Sequence, residues 1–468
     1  MSLRGRPTPR HRLVVRRLTI IATTCLVAAL GVVGLPRVAD AAPGDVVLVG
    51  HGWGHGRGMG QDGAYGYAVD HGWSAARILG HFYGGTRPGT IGNPLITVRL
   101  SSLEGSGNPL GATGSWITSS QRFTVGGLQV AGGWAARIVR SGSRWQVFTT
   151  MHGCAAGNSF GPWTLPTATV ATTTSPGEST ARMLTVCANR HSYRGTLSPA
   201  PGRGSSFILV NRLPMDAYLR SVVPSESPAS WGDAGGGRGM AALQAQAVAA
   251  RSYAQAEDRN PPYAKTCDTT SCQVYAGAAD HGALVEDPRS DRAVATTSGQ
   301  VRRDGGNHVV RTEFSASTGG WTVPGGLWPA VRDDGDSTSP MHTWTTTLSG
   351  AALARTYGVG AFRQLLVTAQ NGLGSEGGRA GQVRIVGSGG SVSVSGEQFS
   401  WDWNLSSDWF FPVDQPRQQV TSLRYVRRAG SRQIYRQFSL ASKGWTDLAP
   451  ISTADWEAKG SPRVTVIA

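Results

Sequence analysis

The chain has 468 residues and a formal net charge of +15, with 64 Gly, 15 Trp and five Cys. That length exceeds one ordinary domain, and the abundance of Gly over long helical patterns favours strands joined by tight turns. No zinc finger, basic helix or aromatic–basic interleaving is present, which argues against nucleic acid as a partner.

The first element is an arginine-rich, acid-free run, "MSLRGRPTPRHRLVVRR", followed by an apolar run from Leu18 to Leu35 and then Ala39-Asp40-Ala41, a small-x-small cleavage pattern. Residues 1–42 therefore read as a secretory signal peptide. The apolar run is also long enough to be kept as a membrane anchor, so a membrane association is expected only if this segment is retained. Either way the rest of the chain is expected in a secreted or cell-envelope location. Seven Arg and one Asp fall in residues 1–41, which leaves +9 on the remainder. A basic exported protein suits an anionic partner such as a cell-wall polymer. Outside this segment stand Cys154, Cys187, Cys267 and Cys272, an even set that reads as disulfides in an exported chain. Of the three possible pairings, the sequence-near one, Cys154–Cys187 with Cys267–Cys272, is the expected one.

Residues 43–93 carry "GHGWGHGRGMGQDGAYGYAVDHGWSAARILGHFYGGT". A strand over 46–49 runs into a glycine-rich turn, a helix is predicted over about 61–68, and Ser74 is placed to cap a second helix. His51 and His55 are four apart, but the glycines argue against a helix and a strand holds them too far apart to chelate easily. The glycines more simply let the backbone approach something closely, a ligand or another strand. Residues 95–210 alternate as an antiparallel β region, with 166–180 read as a surface loop. The stretch ending at Glu226, between Pro224 and Pro228, reads as a strand. "MAALQAQAVAARSYAQAED" is the clearest helix, with an apolar stripe of Leu243, Ala247, Ala250 and Ala254, and it stops before Asn260-Pro261-Pro262. Residues 263–330 read as strands and turns. A helix near 349–358 and strands at 381–387 and 391–396 follow, and residues 418–468 read as a small β-rich module. The predicted class is α+β, mostly antiparallel β with a few helices.

Glu226 is the first candidate for chemistry. A carboxylate among prolines and apolar residues is partly desolvated, which raises its pKa and suits a proton donor. Glycosidic cleavage needs such an acid. Asp233, the nearest downstream acid, lies in a Gly-rich loop and makes a poor second carboxylate. A one-carboxylate scheme works where the sugar supplies its own nucleophile: the C6 hydroxyl of muramic acid attacks C1, the same Glu acts as acid and then base, and a 1,6-anhydro sugar results. Local sequence alone favours the plainer reading of Glu226 as a strand-end residue whose charge caps the following turn. Cys267 and Cys272 form a C-x4-C pair for which only His281 and His308 follow nearby, so a disulfide is preferred to zinc and no metal or cofactor is expected. Ser315 and Ser317 lack a Gly-x-Ser-x-Gly elbow and read as a polar turn.

"NRLPMDAYLRSVVPSESPASW", "ALQAQAVAARSYA", "CDTTSCQVYAG" and "SGQVRRDGGNHVVRTEFSASTGGWT", in this order, resemble the stage II sporulation protein D (SpoIID/LytB) family. The core motifs span 206–323, and flanking strands extend the expected domain to 94–415. Members of that family are exported cell-wall proteins, and the sporulation protein is a lytic transglycosylase. The resemblance implies Glu226 as the acid/base residue. It further implies that Gln246, Arg251, Tyr253, Gln273, Tyr275, Ser317 and Gly319 contact the glycan, peptidoglycan strands being the expected substrate. The family's "GHGVGMSQYGA" signature normally closes the domain. Here its equivalent stands first, as if permuted, and is expected to pack beside residues 213–320 with His55 and Gln61 bordering the groove. Ser271 stands where zinc-binding relatives have His, and Ser227-Pro228 replaces the usual Met-Pro. Two alternatives to an enzyme stand beside this: from the same resemblance, a non-catalytic enhancer of a cell-wall amidase, which would be its partner; and, from the basic charge and the C-terminal module, a wall-binding protein anchored by residues 418–468.

Overall fold

The computed structural model describes residues 44–104, 115–155, 157–202, 206–258, 262–413, 420–429, 434–440, 444–445, 449–451 and 464–467. The predicted signal peptide lies outside the described residues. Among them are seven α-helices: α1 Gln61–Val69, α2 Ala75–Phe82, α3 Met215–Glu226, α4 Met240–Ala256, α5 Pro288–Thr296, α6 Gly350–Tyr357 and α7 Gly396–Asp402. No described helix is long and apolar enough to cross a membrane. The class is α+β with mainly antiparallel sheets.

Two large sheets carry most of the strands. One has eight, running from the edge strand Phe160–Leu165 to Ala283–Leu284, and the other has seven, with Phe207–Pro214 between Leu95–Arg99 and Thr196–Pro201. Their alternating inward residues, such as Ile96, Val98, Ile117, Val147, Val186 and Leu209, make one core with apolar residues of α3, α4 and α5. Residues 166–180 are not simply a surface loop. Val170–Thr172 is a strand of the seven-stranded sheet, because Ala168 and Val170 can be buried there while the flanking Thr residues stay out.

Helix α4 explains its own composition. Leu243, Ala247, Ala250 and Ala254 face the sheet core, while Ala242, Ala245, Val248 and Ala249 face a second core built by α1 and α2 with Met59, Tyr83 and Trp328. A helix buried on two sides needs small side chains if neighbours are to approach on both, and alanine supplies that with the best helix propensity. The glycine-rich segment is thereby clamped to the middle of the molecule. Met59–Gly60 pairs in parallel with Phe314–Ser315, and Val46–Gly50 lies between Trp344–Leu348 and Phe410–Pro412. That last sheet packs with α6 and α7 on a third core. Strands within 420–467 form a separate five-stranded sheet.

The stretch before Glu226 is a helix, not the strand its Val-Val pair suggested. Its buried residues are Met215, Tyr218, Leu219, Ser221, Val222 and Val223, which recur at helical spacing. Pro224 is tolerated because it falls in the last turn, where it deletes a single backbone hydrogen bond close to the natural end of the helix.

Candidate active site

Glu226 is the last residue of α3, with Ser227 leaving the helix in extended conformation. A carboxylate here sits at the negative end of the helix dipole, which disfavours its ionised form. Burial acts in the same direction and is the main cause of its raised pKa, opposed by hydrogen bonds from Val274 and Gln61. The Val274 N–H donates to Oε1 at 3.0 Å, and the Gln61 amide donates to Oε2 at 3.5 Å. The carboxyl is thus held at both oxygens while part of its surface remains open.

Each donor is itself fixed. Val274 follows the Cys267–Cys272 disulfide loop, in which Cys272 N donates to Thr269 O and Tyr275 N to Asp268 O. Gln273 is buried and accepts from the Tyr218 hydroxyl at 3.0 Å while donating to Ala250 O at 3.4 Å, joining α3, the loop and α4. Gln61 opens α1, whose entry is set by the pairing of Met59–Gly60 with Phe314–Ser315 and by Asp62 N donating to Ala316 O.

The glycines of the N-terminal motif make this arrangement possible. Gly58 has φ of 70°, and a Cβ there would lie 2.0 Å from the Glu313 carbonyl. At Gly63 a Cβ would meet the Asp333 carboxyl at 2.2 Å. Asp333 is buried, and its pKa is pushed far up by burial and by nearby Asp336. Gly52, Gly54 and Gly58 thus approach the segment 313–319, while Gly63 approaches the Asp333 side chain. Among the described residues no group of three or more His, Cys, Asp or Glu has the geometry to hold a metal.

The other predicted contact residues occupy two kinds of place. Arg251 is fully buried; it donates to Asp216 at 2.9 Å and to the Gln300 carbonyl at 3.2 Å. Tyr275 is buried with its hydroxyl donating to Asn211 at 2.6 Å. Ser317 is buried and donates to Asp336, which also accepts from Gly319 N at 3.0 Å. Most of their polar atoms pair within the protein, and Arg251, Gln273, Tyr275 and Ser317 are buried where the resemblance implies glycan contact. The sequence carried a sign of this in α4: Arg251 lies four positions after Ala247 and three before Ala254, both on the apolar stripe of the helix. Gln246 is also buried, and neither of its amide atoms has a protein partner. Tyr253 is nearly buried, with the Arg311 guanidinium over its ring and bonded to its hydroxyl at 2.5 Å. Gly319 lines a cavity described below. His55 Nδ1 accepts from Arg57 N at 3.0 Å, and burial with the Arg57 charge lowers its pKa to about 4, so it stays neutral at physiological pH. Asp233 is exposed and paired with Arg289, which removes it as a second acid.

Sequence reasoning missed the positioning roles of Val274 and Glu313. Val274 acts through its backbone, for which side-chain identity carries no signal. Glu313 binds Arg57 at 2.9 Å and Arg311 at 2.8 Å, a pairing across 256 residues in the first case. Cys154–Cys187 and Cys267–Cys272 are both disulfide-bonded, as expected.

Fold and site together define an α+β protein built around one desolvated carboxylate, held at the meeting of a helix end, a disulfide loop and a glycine-rich segment. Residues 203–303, which contain α3, α4 and that loop, match the family model described as Stage II sporulation protein, SpoIID, so this chain carries a SpoIID-family region. It is 32% identical over 136 residues to the amidase enhancer of Bacillus subtilis (strain 168), a match covering 28% of this chain and 17% of that protein. It is 35% identical over 133 residues to an uncharacterized protein of Brachyspira hyodysenteriae (strain ATCC 49526 / WA1), covering 28% of this chain and 32% of the relative. The chain thus spans less than a third of the length of each of these relatives.

Proposed function

We propose that this is an extracytoplasmic, peptidoglycan-active protein that cleaves glycan strands as a lytic transglycosylase, with Glu226 as its one acid/base group. The observation that carries the reading is the state of that carboxyl: partly buried, at a helix C-terminus, and gripped at both oxygens by Val274 and Gln61. A raised pKa keeps the proton on this carboxyl to a higher pH than an ordinary Glu does, which suits a proton donor. Protonated Glu226 gives that proton to the glycosidic oxygen as the bond to C1 breaks. The resulting carboxylate then takes the proton of the C6 hydroxyl as that oxygen bonds to C1. No water is consumed and the product ends in a 1,6-anhydro ring. Such a scheme needs a single carboxyl able to serve both roles without moving, which suits a group fixed at two points.

The decisive experiment incubates the purified protein and its Glu226→Gln variant with glycan strands, with and without stem peptides, and reads the ends by mass spectrometry. 1,6-Anhydro-muramoyl ends from the wild type and none from the variant are expected. Ordinary reducing ends would indicate a hydrolase with a second carboxylate. A folded protein that binds glycan and cleaves neither substrate would favour the second reading, an amidase enhancer, which the name of the B. subtilis relative supports.

A further inference from the structure

Away from Glu226, a cavity of about 480 Å³ opens beside the Gly319-Gly320 turn, lined by Trp321, His342, Ser375 and Trp409 among others. Ser375 stands at its edge in a short turn, Ser375–Gly377, between the strands Phe362–Gln370 and Ala380–Gly387. Its hydroxyl lies 3.3 Å from Nε2 of His51. The other ring nitrogen of His51, Nδ1, lies 3.2 Å from the carbonyl oxygen of His342 and 3.4 Å from the Thr343 hydroxyl. A carbonyl only accepts, so Nδ1 carries the proton and Nε2 presents its lone pair to Ser375.

We infer that Ser375 and His51 form a nucleophile–base dyad, oriented by the His342 carbonyl, that hydrolyses small acyl esters of sugar-like alcohols. Three observations carry this. The three groups come from positions 51, 342 and 375, so no local turn accounts for their alignment. The base is fixed: His51 N donates to Trp409 O at 2.9 Å, and its ring is 5.0 Å from that of Trp409. The nucleophile's backbone is fixed too, since its carbonyl accepts from Trp409 Nε1 at 3.3 Å and Gly378 N at 3.0 Å. Nucleophile, base and orienting group at these separations meet the geometric requirement for an activated serine, which is commonly looser before substrate binds. Burial lowers the pKa of His51, which favours the neutral form that a base needs.

The substrate class follows from the same features. A backbone carbonyl orients an imidazole but stabilises the imidazolium less than a carboxylate does, which suits the easily expelled alcohol of an ester over the amine of an amide. The cavity has the size of a small-molecule site and is lined by Trp321 and Trp409 together with the polar Arg332, Asp334 and Ser337. In the first step Ser375 Oγ bonds to the ester carbonyl carbon and its proton passes to His51 Nε2. The C–O bond to the alcohol breaks, and the alcohol leaves with that proton. Water then repeats the sequence on the acyl-serine, giving the carboxylic acid and free Ser375. Glu226 takes no part.

A fluorophosphonate probe tests this on the purified full chain, with peptide mass spectrometry to locate the adduct and 4-nitrophenyl acetate hydrolysis as a second readout. The adduct is expected on Ser375 in the wild type and in Glu226→Gln, and absent in Ser375→Ala, whose exposed side chain can be lost without harm to the fold. In His51→Gln labelling should fall by roughly a hundredfold, the scale of a lost general base. Since that variant also loses ring packing on Trp409, the wild-type labelling rate is followed with pH as well, and should fall as His51 protonates. A folded wild-type protein left unmodified at Ser375 overturns the inference. So does labelling of Ser375 that is indifferent to both His51→Gln and pH.

Discussion

Glu226→Gln separates the chemistry of this residue from its cost to the fold. A folded-state pKa raised above the ordinary Glu value of about 4.3 means that the native protein keeps its proton to a higher pH than the unfolded chain does. Stability is then lost as pH rises from the unfolded value through the folded one. The neutral amide avoids that loss. Thermal melts should show Glu226→Gln more stable than wild type at pH 7 and no different at about pH 3, where both side chains are neutral. An equal or lower melting temperature at pH 7 would show that burial is not what governs this carboxyl. Gln61 has the opposite influence, because its amide favours the ionised form. Gln61→Leu should raise the pKa of Glu226 and move the alkaline limb of the pH–rate profile for anhydro-end formation upward. An unchanged limb would mean that the 3.5 Å contact does not reach the acid.

At the scale of elements, the glycine-rich segment and α4 depend on missing side chains. Gly58→Ala places a methyl 2.0 Å from the Glu313 carbonyl on a residue with positive φ, so both sterics and backbone strain oppose it. Destabilisation of about 2 to 4 kcal/mol is expected in urea titrations, from overpacking and strain together. A change below about 0.5 kcal/mol, the scale of a neutral surface substitution, would show the segment to be loosely seated. The elements also show where sequence patterns were legible. α1, α2, α4 and α6 were visible from periodicity and, for α2, from the Ser74 cap, whose side chain accepts from Arg77 N. α3 was not, because a β-branched pair and Pro224 outweighed the three-to-four spacing of Met215, Tyr218, Leu219 and Val222. α5 was missed although Asp287 caps it and Pro288 opens it, both ordinary start signals, since the helix is short and mostly polar.

Across the whole molecule, residues 59–83 share a core with α4. Met59, Ala64, Tyr67, Ile78, Phe82 and Tyr83 form a core with the second face of α4. Fully burying a side chain of this kind contributes roughly 1.5–3 kcal/mol, so several together rival the net stability of a domain. A chain lacking residues 43–93 should therefore lose its cooperative thermal transition in circular dichroism. A deletion product that still melted cooperatively would make the segment an accessory to an independent domain.

The sequence by itself determined the α+β class, the main helix and both disulfide pairs, and it singled out Glu226 as the candidate for chemistry. Each of these rests on information that is local or compositional: hydrophobic period, cysteine spacing, and a motif contained in one short run of residues. Only the tertiary structure decided what surrounds that carboxyl. Gln61 reaches it from 165 residues away, Val274 reaches it with a backbone N–H, and the buried Gln273 ties α3 to α4 beside it. The physical reason is that burial and hydrogen-bond pairing are properties of a packed neighbourhood. A polar side chain looks the same in the sequence whether it faces a substrate or satisfies a buried partner, and only the fold assigns it to one or the other.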